Sequence, residues 1–206
     1  MQSRLILLYS FIGVAFDITS KILFFCNNSY AMVVTHIYTL IEFLLLLTIF
    51  SKGIDLANTR KYFITTITFY LLIWVFLKLF IENFYSFDNY SATISSAILA
   101  SVSLYLLTEL IVKNEIRPIK NPSFWFFSSV FIYHFLNFTV FLFYKINEYN
   151  IMWEIHSAVN IISQILMTIY FVMLNKMISD ENSKVLELIK ESEEIKKKTE
   201  LKLAVI

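Results

Sequence analysis

The sequence predicts an all-α membrane protein, a polytopic bundle of six transmembrane helices, and three observations carry that expectation. Hydrophobic residues make up 58% of the 206 and charged residues 16%, against roughly 45–50% and about 25% in a soluble domain, which excludes a water-soluble enzyme. Two glycines and two prolines exclude a glycine-rich phosphate loop and a turn-dense barrel. Helices remain as the structure that satisfies its own backbone in lipid. Apolar runs of the roughly 20 residues that a hydrocarbon core about 30 Å thick demands recur six times. A net charge of +1 offers no footprint for nucleic acid, so no direct nucleic-acid binding is expected. The lone Cys26 rules out an internal disulfide or a paired-cysteine metal or redox site.

The runs fall at 4–26, 30–50, 62–81, 90–112, 123–144 and 151–177. The first holds Asp17 and Lys21 inside its apolar stretch and lacks a small-residue cleavage site, so it reads as a retained helix rather than a secretory signal. Those two residues stand one turn apart, which suits either an intrahelical ion pair or a part in ion movement. The second run carries His36 and Glu42; the third carries Trp74 at mid-depth, with Lys78 and Glu82 marking its end. In the fourth, SATISSAILASVS is rich in small residues that let helices approach closely. Pro118 and Pro122 precede the fifth, where a missing N–H costs little, and His134 and Asn137 sit at its centre. The sixth carries Glu154, His156, Asn160 and Gln164, and nothing after Asn150 forces a break, so it is expected to leave the membrane as one rod. Short connections make successive helices antiparallel neighbours, giving a bundle over residues 1–178 and a charged tail over 179–206.

Orientation follows from the basic residues beside the runs. Arg4, Lys52, Arg60, Lys61, Lys113, Arg117, Lys120 and the lysine-rich tail gather on one side, with only Lys145 on the other. Both termini are therefore expected in the cytoplasm, with the lipid bilayer of a bacterial cytoplasmic membrane around the bundle.

An ionisable group at membrane depth costs at least ~2.5 kcal/mol, so each needs a partner or a purpose. Asp17, Lys21, His36, Lys78, Glu82, Glu154 and His156 fall in the outer halves of their helices, with Glu42, His134 and Asn137 near the middle. That asymmetry predicts a polar pocket opening outward. His156, Asn160, Ser163 and Gln164 follow i, i+4, i+7 and i+8, one stripe expected to face the interior. The stripe reads as interhelical glue or as the wall of a ligand- or water-lined cavity. Glu42 has no cation within reach on its own helix. Thr35, Tyr38 and Thr39 share part of its face, and a histidine or Lys21 from another helix is the expected partner, unless the carboxyl holds a proton. Three histidines are the minimal ligand set of a catalytic zinc, but no local spacing supports one, and two glycines in all are few for close haem packing. No metal or cofactor is expected, and His156 is read as a titrating or hydrogen-bonding group.

In the tail, Val185, Leu188, Ser192, Ile195 and Thr199 have heptad-like spacing over barely two heptads. It is either a solvated amphipathic tail or a docking or self-association helix, with Val185, Leu188, Ile189 and Ile195 as the contact residues.

Four segments carry a resemblance: THIYTLIEFLLL, FDNYSATISS, NPSFWFFSSVFIY and WEIHSAVNIISQ. Together they resemble a group of uncharacterised bacterial six-pass membrane proteins. Its members show H-x5-E in helix two, F-N-x-Y before helix four (here FDNY), F-W…Y in helix five and W-x-I-H-x3-N in helix six. The resemblance singles out His36, Glu42, Asn89, Trp125, Tyr133, His156 and Asn160. Gln164 stands where the group tends to have a second Asn, and His134 where it has an aromatic. By size and layout alone, the chain also looks like the multi-pass accessory proteins of CRISPR and other phage-defence loci.

The leading functional expectation is a non-enzymatic sensor or accessory subunit. Its outer pocket, drawn from Asp17, Lys21, His36, Glu42, Asn89, His134, His156, Asn160 and Gln164, takes a ligand or proton, and its sixth helix signals to a cytoplasmic partner. The alternatives are an oligomeric pore or proton conduit, in a phage-defence setting, and an intramembrane metal-dependent lipid hydrolase.

Overall fold

Long apolar runs almost free of glycine and proline leave the backbone one economical course in lipid, which is to bond within each segment. The computed structural model describes residues 2–26, 29–52, 57–85, 90–113, 118–143 and 149–203. They form α1 (Gln2–Phe25), α2 (Tyr30–Lys52), α3 (Ala57–Phe80), α4 (Tyr90–Lys113), α5 (Pro122–Phe143) and α6 (Tyr149–Leu203), with a short 3-10 turn at Pro118–Lys120 before α5. All six are long and apolar enough to cross a membrane, and no strand occurs among the described residues.

The contacts run antiparallel. On α1 and α2, Ser20 meets Thr35, Phe16 meets Tyr38, and Tyr9 meets Glu42. On α2 and α3, His36 meets Lys78 and Phe43 stacks on Tyr70. Phe126 touches Tyr170, Ser129 bonds Ser163, and Asn137 bonds His156 along α5 and α6. Arg4, Lys52, Lys61, Lys113 and Lys120 therefore share one end of the bundle, called here the basic end. The half nearest it is filled by Ile6, Leu46, Leu47, Ile49, Phe50 and Phe126, all at most 2% exposed.

The α4 run packs by its small face, with Ser91, Ala92, Ser95, Ser96, Leu99, Ala100 and Ser103 buried. Ser95 and Ser103 donate to carbonyls of their own helix, at Ala92 and Leu99, so apolar neighbours can close on them without orphaning a hydroxyl. At the start of α5, the Trp125 indole donates to the Ile119 carbonyl at 2.9 Å and ties the helix to the 3-10 turn. α1 rests on α2 and turns Leu7, Phe11, Val14, Ile18, Ile22 and Phe25 outward.

One limit differs from the sequence reading, and the unbroken sixth helix it expected is present. α3 starts at Ala57, because the polar ANTRK segment continues the helix. α6 is a single helix of 55 residues, about 82 Å at 1.5 Å per residue, more than twice what a bilayer core requires. Every side chain over 175–193 is exposed.

Candidate functional site

Two separate polar clusters occupy the half of the bundle away from the basic end. The first joins α2, α3 and α4. Lys78 and Glu82 are buried and form an ion pair of 2.6 Å across one helical turn. The Lys78 ammonium also donates to Ser91 Oγ at 2.8 Å and meets His36 Nδ1 at 2.5 Å, so its three protons face three acceptors and Nδ1 takes the unprotonated role. Glu82 accepts at Oε1 from the backbone N–H groups of Tyr90 and Ser91, at 2.6 and 3.0 Å. It thereby caps the start of α4, where a negative charge is favoured. At Oε2 it also accepts from the Ser91 hydroxyl, at 2.7 Å. Trp74 and Phe84 stand 5.6 and 5.9 Å from the ammonium. Each charged group and the Ser91 hydroxyl here answer another, so the cluster reads as the clamp that fixes α3 and the head of α4 to α2.

The second cluster joins α1, α2, α5 and α6. Glu42, 7% exposed, accepts at Oε1 from the hydroxyls of Tyr9 and Tyr38, at 3.1 and 3.3 Å. A Cβ on Gly13 would stand 3.3 Å from the Tyr38 hydroxyl, so glycine at this point of α1 admits the phenol. Tyr133 of α5 lies within electrostatic reach of Glu42. Its ring centroid is 6.4 Å from that of His156, and His156 Nδ1 bonds Asn137 Oδ1 at 2.7 Å. Asp17 acts electrostatically on both Glu42 and His156. On the outward face of α1, away from this cluster, Arg4, Leu7, Leu8, Phe11 and Val14 border an apolar hollow of about 600 Å³ with Phe171 of α6.

Several expectations need correction. His36 does not belong with Glu42: the two lie on different sides of α2, one bound to α3 and the other to α1. Glu42 meets two tyrosines rather than a histidine or Lys21, while Thr35 and Thr39 bond carbonyls of their own helix. Asp17 and Lys21 are both exposed and form no ion pair with each other. The α6 stripe is only partly interior. Ser163 is buried against Ser129, His156 and Asn160 are half-buried, and Gln164 is exposed because it falls at the edge of the buried face. The three histidines do not converge. Among the described residues, His134, 2% exposed, has a hydrogen-bond partner at neither ring nitrogen, and no group of three His, Cys, Asp or Glu is placed to hold a metal. Val185, Leu188 and Ile189 are exposed on α6. Asn89 and the side chain of Ile195 lie outside the described residues.

Tyr9 and the clamp residues Lys78, Glu82 and Ser91 were not among the expected site residues. Tyr9, Gly13 and Asp17 follow i, i+4, i+8, a stripe that was there to be read. Comparison with family models, with curated proteins and with solved structures finds no match to this chain.

Proposed function

We propose that this chain is a non-enzymatic sensor or accessory subunit of a bacterial cytoplasmic membrane. A polar intramembrane site around Glu42, Asn137 and His156 binds a ligand, and α6 carries the resulting change to a cytoplasmic partner. One observation supports this above the rest. His156, bonded into the site, and the exposed Val185, Leu188 and Ile189 stand on one unbroken helix, Tyr149–Leu203. A rigid helix conveys rotation or tilt along its length, whereas a loop would absorb it.

The alternatives find less support. The oligomeric pore or proton conduit cannot run through one bundle, whose basic half is filled by Leu46, Leu47, Phe50 and Phe126, and would need a path between copies. A metal hydrolase needs ligands that converge, and the three histidines stand in three different settings. The test uses a spin label at Ser192→Cys in a Cys26→Ser background, in lipid nanodiscs. Replacing His156 by Ala is expected to change the label's mobility. Adding Ser179→Pro, which breaks the rod between bundle and tail, is expected to abolish that change. An unaltered tail spectrum in folded His156→Ala protein would sink the relay.

A further inference from the structure

We infer that Glu42 is the site of a reversibly bound proton, and that gaining or losing it is the event α6 conveys to its tail; this rests on the binding role proposed above and names its ligand. A proton needs no cavity, and the hollow bordered by α1 lies on the outward face of that helix, away from the carboxyl. Both protonation states are provided for. Oε1 accepts from the Tyr9 and Tyr38 hydroxyls, at 3.1 and 3.3 Å, and such donors are what a buried anion needs. Oε2 accepts no hydrogen bond among the described residues, and Glu42 forms no ion pair among them, so a lone pair stands open and a buried carboxyl without a base meets its burial with a proton. Glu82 shows the opposite arrangement at similar depth. Both its oxygens are occupied, by Lys78, by the Ser91 hydroxyl and by two backbone N–H groups, which hold it as the anion.

The titratable groups around Glu42 are Tyr9 and Asp17 on α1, Tyr38 on its own helix, Tyr133 on α5 and, beyond Asn137, His156 on α6. His36 and Lys78 face the other side of α2 and are engaged there. Asp17 is exposed, about 12 Å along α1 from Tyr9 toward the end away from the basic residues, and acts electrostatically on Glu42. It is the group through which water delivers and removes the proton. A string of side chains leads from the carboxyl to α6. Asn137 Oδ1 accepts from His156 Nδ1–H at 2.7 Å, so it is the Asn137 amide N–H that bonds the Tyr133 hydroxyl oxygen and leaves the phenol proton for another acceptor. When the carboxylic acid gives up its proton, Oε2 becomes a charged acceptor with no donor, and Tyr133 is the further hydroxyl within electrostatic reach. Turning toward Oε2, Tyr133 draws on Asn137 and through it on His156. Return of the proton gives back the neutral acid and releases that pull, so one proton decides whether α5 and α6 are drawn toward α2.

The test titrates the full chain in nanodiscs from about pH 5 to about pH 9, with the spin label at Ser192→Cys in the Cys26→Ser background. Infrared difference spectra follow the carbonyl stretch of protonated carboxyl groups, and one band lost as pH rises is expected to be missing from Glu42→Gln. The tail label is expected to change mobility over the same pH interval. Glu42→Gln, a neutral mimic of the protonated side chain, is expected to hold the low-pH spectrum throughout. Tyr133→Phe, which removes only the hydroxyl, is expected to keep the carbonyl titration and lose the label's response. A Glu42 carboxyl that stays in one state across the range overturns the inference. So does a pH response of the label that persists in folded Glu42→Gln protein, which would assign it to His156 or Asp17, and a full response in Tyr133→Phe overturns the route. The two readings fail separately. A label that moves on His156→Ala beside a Glu42 band that never changes removes the proton, and a titrating band under a label that neither pH nor His156→Ala moves removes the relay.

Discussion

Lys78 and His134 are both buried polar side chains, and they are held in opposite ways. Lys78 spends its three protons on Glu82, Ser91 and His36, so truncating it leaves Glu82 as a buried charge with too few partners. Lys78→Ala is expected to cost about 3–5 kcal/mol, seen as a lowered thermal midpoint in detergent. Among the described residues, His134 has a partner at neither nitrogen. Replacing it with an apolar ring of similar size removes an unmet need, so His134→Phe is expected to be neutral or stabilising by up to about 1–3 kcal/mol in the same assay. A marked loss on His134→Phe would mean that the imidazole is needed where it stands. Neither behaviour was legible in the sequence, which shows a lysine and a histidine at depth but not their neighbours. Lys78 and Glu82 one turn apart hinted at the pair; nothing local hinted that Ser91 and His36 complete it.

The helices themselves were legible because hydropathy is a local property, and each run declares itself within its own 20-odd residues. Which helix meets which is not local. Tyr9 reaches Glu42 across 33 positions of sequence, and no periodicity on α2 announces that its carboxylate turns toward α1 while His36 turns toward α3. The edge of the α6 stripe was misread for a related reason: a polar residue at i+8 has drifted from the buried face, so Gln164 emerges at the surface. Small-residue packing was read correctly on α4, and it makes a prediction about that element. Ala100 is 6% exposed on the packed face, so Ala100→Leu is expected to overpack it and cost about 1–3 kcal/mol. Ser101→Leu, one residue away on the exposed side, is expected to leave the thermal midpoint nearly unchanged. Equal effects from the two would mean that α4 does not pack by its small face.

The whole molecule carries a charge asymmetry that predicts an orientation. Arg4, Lys52, Lys61, Lys113 and Lys120 crowd one end of the bundle, and basic residues in short loops are retained on the cytoplasmic side during insertion. The exposed Cys26 closes α1 at the opposite end, so the chain carries its own reporter. In intact cells, a membrane-impermeant maleimide is expected to label Cys26. In a Cys26→Ser background, Ser183→Cys on the exposed part of α6 is expected to stay unlabelled until the membrane is opened. The reverse pattern would place the basic end outside, and with it the tail. The rod would then have no cytoplasmic partner to reach, and the Glu42 site would lie in the half nearer the cytoplasm. Orientation thus decides whether the polar half and the long helix can serve as two ends of one device, since the same residues in the same contacts have that use in only one of the two senses.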